Sequence, residues 1–301
     1  MYLLYSPMKD TISIVVASDN FYAILIAALL KSIDVNHKTP EHIDFHIIDD
    51  GISTKFKKQL ETIVDSSRLT IFWHTSKSII PSNLSIPVDT SGFPMTTYLR
   101  VFAPNVVGLD VHKLLYIDVD IILQDDISKL WHMSTGEHVI AAVQDIAKTV
   151  DCDWGGLPNY KELGLDPKTK YFNAGVLLIN TDKWREQNIS AEIIGALIKY
   201  KETVQLGDQY GLNVVFATKW EELDPKWNWF ASLEKGNPSL IHFLDIKPIF
   251  TTYNSNEYFK QEFFRYLDMT PWKNFKLING KNRLFRKAFN KIKKALLRLS
   301  N

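Results

Sequence analysis

Cysteine is almost missing from this chain. Among 301 residues there is only Cys152, so no internal disulfide can form and a disulfide-stapled scaffold is excluded. Net charge is nearly absent too. Lys plus Arg number 35 against 34 Asp plus Glu, a formal +1 at pH 7, which taken whole speaks against nucleic acid or an anionic surface as partner. Apolar runs long enough to cross a bilayer are also lacking. The most tempting stretch, residues 11–30, holds Asp19 and Asn20 at its centre and reads as strand, polar turn and helix. The opening MYLLYSPMKD has no basic segment leading into a sustained apolar one, so no secretory leader is expected. Disorder is excluded by 46% hydrophobic against 23% charged residues.

The small net charge conceals an uneven distribution. From 269 to 301 there are ten basic residues and no acidic one, leaving 25 basic against 34 acidic in the rest, a net of −9. Such asymmetry marks an interaction segment, and the chain divides at this point into a body, 1–268, and a basic tail, 269–301. In the tail, Leu284, Phe285, Ala288, Phe289, Ile292, Ala295, Leu296 and Leu299 recur on one helical face with Lys and Arg covering the remainder. A basic amphipathic helix of this kind is expected to lie on an anionic membrane surface. The alternatives are a helix docked on the acidic body and a nucleic-acid tail, the latter not needing so regular an apolar face.

Within the body, short apolar runs alternate with helical patterns. Residues 12–17 read as a strand buried on both faces, 43–48 as a second strand and 69–73 as a third, and 21–36 and 53–63 as the helices between them, the second capped by Ser53. This β-α-β-α-β order predicts a mostly parallel, doubly wound sheet. Residues 112–123 predict another buried strand, 139–144 and 172–179 two more, and 76–94 and 149–170 read as long loops of the kind that carry function.

The strand predicted over 112–123 contains two carboxylates, Asp118 and Asp120. At i and i+2 they would point to the same side of an extended chain. In an apolar run they need a positive partner, and oxygen ligands suit Mg²⁺ or Mn²⁺. The other reading ends the strand at Ile117 and leaves both acids in a solvated turn; spacing alone does not choose.

The surrounding order does. Ala17-Ser18-Asp19, Thr96-Thr97-Tyr98-Leu99-Arg100, Leu115-Tyr116-Ile117-Asp118-Val119-Asp120, Phe172-Asn173-Ala174-Gly175 and Asp208-Gln209 together resemble glycosyltransferase family 8 over roughly residues 13–250. This is the family of retaining, sugar-nucleotide-dependent transferases that includes bacterial lipooligosaccharide galactosyltransferases and glycogenin. The resemblance implies an α/β fold of GT-A type, with a Rossmann-like, mostly parallel sheet flanked by helices. It implies Mn²⁺, or Mg²⁺, on Asp118, Asp120 and His242, with Asp118 also reaching the nucleotide ribose. Asp19 and Tyr22 match the positions that bind and stack on uracil, although Tyr22 could equally face the core. Arg100 matches a contact to donor sugar and diphosphate, Asp145 an acid hydrogen-bonded to the sugar, and Asn173 and Ala174 the close approach to it. Asp208 and Gln209 match the pair beside the anomeric carbon.

Two departures stand out. The family signature His-x-x-Gly-x-x-Lys-Pro-Trp reads here His242-Phe243-Leu244-Asp245-Ile246-Lys247-Pro248-Ile249-Phe250: an acid replaces the glycine and one residue is missing before Lys247, the expected diphosphate contact. Phe21 stands where some members carry an asparagine contact to the nucleotide. The resulting expectation is a cytoplasmic enzyme, peripheral at the inner face of the membrane, that moves a hexose from a UDP-sugar to a glycan or lipid-linked acceptor. Two rivals are a degenerate domain that binds sugar nucleotide without turnover and a nucleotidyltransferase. The second would want a Gly-rich basic loop after the first strand, where this chain has Ala17-Ser18-Asp19-Asn20.

Overall fold

The computed structural model describes residues 11–87, 93–234 and 236–299. The opening segment and part of the 76–94 loop lie outside the described residues, as do the side chains of Lys287, Lys293 and residues 296–299 in the tail. The strands are β1 (Thr11–Asp19), β2 (His42–Asp50), β3 (Leu69–Thr75), β4 (Lys113–Ile117), β5 (Ile121–Leu123), β6 (Ile140–Thr149), β7 (Lys170–Asn180), β8 (Glu221–Glu222), β9 (Trp229–Phe230) and β10 (Leu240–His242). Seven form one sheet in the order β3-β2-β1-β4-β7-β6-β8, and β5-β10-β9 form a second. In the large sheet β3/β2, β2/β1, β1/β4 and β6/β8 pair in parallel, while β7 runs antiparallel to β4 and β6. The predicted α/β, mostly parallel architecture is what forms.

Alternation along the strands sends side chains to two cores. Ile12, Ile14 and Val16 of β1 face one, Val15 the other; Leu115 and Ile117 of β4 face the first, Leu114 and Tyr116 the second. Both faces are therefore apolar, which is why these strands read as continuous hydrophobic runs. The helix Ala23–Asn36 is buried on nearly every side from Ala23 to Leu30, lying between the sheet, β5 and the helix Glu257–Leu267. That explains the membrane-like hydropathy of residues 11–30: a helix apolar all round is one enclosed by protein. Among the described residues no helix is long and apolar enough to cross a membrane.

One expected element splits. Residues 112–123 are two strands in two sheets, not one strand, and Asp118-Val119-Asp120 is the bend between them. The chain leaves the large sheet after Ile117, where the Asp118 N–H donates to the Gly175 carbonyl (2.8 Å), and joins the small sheet where Phe243 N–H donates to the Asp120 carbonyl (2.9 Å). The Thr-Thr-Tyr-Leu-Arg segment lies on a 3₁₀ helix, Met95–Asn105. Residues 270–278, on the tail side of the charge boundary, pack on the body: Thr270 is buried, Trp272 stacks on Phe56 at 5.5 Å, and Ile278 bridges to Phe250. The separate basic helix begins later and runs Gly280–Leu299.

Candidate active site

In an open α/β sheet, ligands sit beyond the carboxyl ends of the strands where the strand order reverses. Here that place lies above β1 and β4, and their last residues lead into Asp19 and Asp118. A cavity of about 530 Å³ opens there, lined by Asp19, Tyr22, Arg100, Asp118, Asp120, Asp145, Asn173, Asp208, Gln209, His242 and Lys247. Ala174 belongs to the same cluster through its backbone.

Asp118, Asp120 and His242 offer ligand atoms all within 4.8 Å of one another. The sheet register makes this possible. His242 of β10 pairs with Ile121 of β5, which sets the imidazole beside Asp120, with Nε2 3.3 Å from that carboxylate and 3.9 Å from Asp118. The other ring nitrogen, Nδ1, donates to the Asn228 side chain at 2.9 Å. That bond turns Nε2 toward the two acids, the orientation usual for a metal-bound histidine. Two hard oxygens and one imidazole fit Mn²⁺ or Mg²⁺. Gly175 sits so close to His242 that a Cβ there would press into the ring.

Cations surround the acids. Arg100, buried, places Nε 2.5 Å from Asp208, an amino group 3.3 Å from Asp118, and donates to the Ala174 carbonyl at 2.5 Å. Its ring neighbour Tyr116, 5.1 Å away, donates to Asp118 at 3.2 Å, and burial among these carboxylates pushes the phenol well above its ordinary range. Lys247 pairs with Asp120 and donates to the Phe243 carbonyl at 2.7 Å. Burial acts to raise the Asp120 carboxyl, but Lys247 and His242 outweigh it and hold the group well below the usual carboxylate range.

The far wall is a hydrogen-bonded amide cluster. A register shift in β6 after Gln144 turns Asp145 into the cavity. Asp145 accepts from Asn173 (2.7 Å) and Gln209 (3.3 Å). Gln209 in turn accepts from the Ala174 N–H at 3.0 Å, so its oxygen is held against the backbone of the Phe-Asn-Ala-Gly segment. Asp208 opens the helix Asp208–Val215, where an acid meets the positive end of the dipole, yet it is 0% exposed and held by Arg100. Asp19 accepts from the N–H groups of Phe21 and Tyr22 at 2.9 and 3.0 Å. Tyr22 lines the cavity and packs on the core at once.

A family model described as glycosyl transferase family 8 matches residues 13–263. The chain belongs to that family. Among family relatives, it is similar to general stress protein A of Bacillus subtilis (26% identical over 286 residues, 88% of this chain and 96% of the other). It is similar to the lipopolysaccharide 1,2-glucosyltransferase of Escherichia coli as well (24% over 283 residues, 88% and 80%). It also covers 64% of a putative glycosyltransferase of Haemophilus influenzae, at 29% identity over 231 residues and 73% of this chain. Among solved structures, the galactosyltransferase LgtC in complex with donor and acceptor sugar analogs superposes with a TM-score of 0.70 (23% identity, 86% of this chain and 96% of that one). The WbbM bifunctional glycosyltransferase does so with 0.72 (22%, 90% and 52%). These likenesses show the fold, the GT-A type expected from the sequence.

Beyond the family motifs, the structure adds residues that sequence reasoning missed. Asn228 supports both His242 and, through its amide, Asn173 (2.9 Å); nothing local in the sequence marks it. Arg283, Arg286 and Asn290 of the helix Gly280–Leu299 also line the cavity. Their signal was present in the sequence as opposite charge on body and tail, the docked-helix alternative.

Proposed function

We propose that this family 8 glycosyltransferase transfers a hexosyl unit from a UDP-sugar, with retention of configuration, to a saccharide or lipid-linked acceptor. The observation that carries the reading is the meeting of Asp118, Asp120 and His242 with Arg100, Lys247 and the Asp208-Gln209 pair in one cavity. A divalent ion held by Asp118, Asp120 and His242 would supply charge neutralisation to the nucleoside diphosphate as it departs. Asp19 and Tyr22 hold the base; Asp145 and Asn173, already joined to each other, orient the sugar hydroxyls; Arg100 braces both carboxylates and the Ala174 carbonyl. Retention through a covalent intermediate needs a free carboxylate at the anomeric carbon. Asp208 is committed to Arg100, and Gln209 offers an amide. Attack from the front face is therefore the favoured route, the acceptor proton passing to the departing phosphate oxygen while the fixed Gln209 oxygen faces the positive charge on the sugar.

The test is Mn²⁺-dependent release of UDP from UDP-glucose, UDP-galactose and UDP-N-acetyl sugars, with and without saccharide acceptors. Release stimulated by an acceptor is the expected result. UDP binding without release would favour the binding-only rival that Asp245 raises, and pyrophosphate formation from a sugar phosphate and a nucleoside triphosphate would favour a nucleotidyltransferase.

The same chain is proposed to rest on an anionic membrane. Leu284, Phe285, Phe289 and Ile292 face outward, Phe285 being 72% exposed, an apolar row suited to the headgroup boundary. The double substitution F285E/F289E, which leaves the inward face alone, is expected to abolish sedimentation with anionic vesicles; unchanged sedimentation would reject the contact.

A further inference from the structure

An amphipathic helix on a soluble body ordinarily buries its apolar face and shows its charges to water. The helix Gly280–Leu299 does the reverse. Its apolar row, Leu284, Phe285, Phe289 and Ile292, is outside, and three of its cations are inside: Arg283 pairs with Asp245, Arg286 sits 2.5 Å from Asp19, and Lys294 is buried 5.4 Å from the ring centre of Tyr98, while Lys281 and Lys291 are exposed. The guanidinium of Arg286 lies 4.0 Å from the ring centre of Phe21 and 5.4 Å from that of Tyr22, within cation–π range of both. Inward charge on a helix requires a charged object beneath it, and Arg283, Arg286 and Asn290 of this one line the cavity that holds Asp19 and Asp245.

We infer that this helix is a working part of the donor site, Arg283 cancelling the charge of Asp245 and Arg286 walling the base end against Phe21 and Tyr22. The inference rests on the sugar-nucleotide reading above and accounts for Asp245 and Phe21, where the chain departs from the family pattern. Asp245 adopts φ +54°, the left-handed region that glycine enters freely and Asp enters more easily than most residues. The turn is thereby kept, but an anion is added beside the diphosphate. Arg283, on the helix above, returns the local charge to zero. Phe21, in place of an amide contact, supplies a face for Arg286. Asp19 is then fixed through both oxygens, one by the Phe21 and Tyr22 N–H groups and the other by Arg286.

The experiment is calorimetric binding of UDP with Mn²⁺ to the full chain and its variants. Arg283→Ala is expected to raise Kd about tenfold, the size of one charge-assisted contact, and Arg283→Lys less than about threefold. The decisive variant is R283A/D245G: removing the anion with its partner should bring Kd back to within about threefold of the unmodified chain. Arg286→Ala should raise Kd for UDP by a similar factor without moving KM for the acceptor. If R283A binds UDP as the parent does, or if the double variant is as weak as R283A, the inference is wrong. If R283A or R286A tightens UDP binding, the helix is a plug and the inference is equally overturned. Failure of the unmodified chain to bind UDP would remove the donor reading itself, and this inference with it.

Discussion

Asp120→Asn is expected to abolish the proposed metal-dependent transfer while leaving a folded protein. The carboxylate has two partners, His242 Nε2 at 3.3 Å and Lys247, and it is one of three groups able to hold a cation. An amide of the same shape keeps an oxygen in place but removes the charge a hard divalent ion requires. Several kcal/mol of leaving-group stabilisation are then lost, a fall in turnover of roughly a thousandfold or more. Stability should fall as well, because the charge that Lys247 and His242 favour is lost, although the amide oxygen of the substituted side chain can still accept from Lys247. The measurements are UDP release at saturating Mn²⁺, equilibrium Mn²⁺ binding, and Tm as the control. Undiminished Mn²⁺-dependent release by the variant below its Tm would sink the metal assignment.

Legibility of the site in the sequence differed from residue to residue. β1 was legible because burial on both faces leaves one signature, a continuous β-branched run; its parallel neighbour β2 was legible for the same reason. Residues 112–123 were not, since β4 and β5 are equally apolar and hydropathy does not record that they enter different sheets. The error matters at Asp118 and Asp120. Their proximity comes from a bend pinned by the Gly175 carbonyl and the Phe243 N–H, not from two-residue alternation. Motif order placed Arg100, Asp145, Asn173 and Gln209 together although they are far apart in the chain, whereas Asn228, which holds His242, belongs to no motif. The tail shows the limit of periodicity most clearly. An apolar face was readable, but which face turns inward depends on where Asp19 and Asp245 stand, and that is a property of the folded body.

Arg100→Met should unfold the protein more readily as well as inactivate it, and the two effects can be separated. Arg100 lies between two carboxylates, Asp208 at 2.5 Å and Asp118 at 3.3 Å. Burial opposes its charge, yet Asp118 and Asp208 hold it firmly protonated. Methionine fills comparable volume but leaves Asp208, 0% exposed, as a buried anion without this cation. Breaking a buried pair from one side costs about 3–5 kcal/mol, a drop in Tm on the order of 10 °C. The penalty carries a pH signature. Without Arg100, the folded-state pKa of Asp208 must rise above its unfolded value, about 3.9, so the folded state holds a proton that the unfolded state has lost. Stability of the variant therefore falls as pH rises from about 4 toward neutrality and recovers on acidification. The double substitution R100M/D208N removes both charges and should restore most of the lost Tm and flatten the pH dependence. It should not restore transfer, because the brace on Asp118 and on the Ala174 carbonyl is still gone. Thermal melts between about pH 4.5 and 7.5, run beside UDP-release assays, decide the matter. A double variant that regains activity along with stability would show that Arg100 serves only the fold; one that regains stability alone, while D208N by itself still transfers, assigns Arg100 to the site.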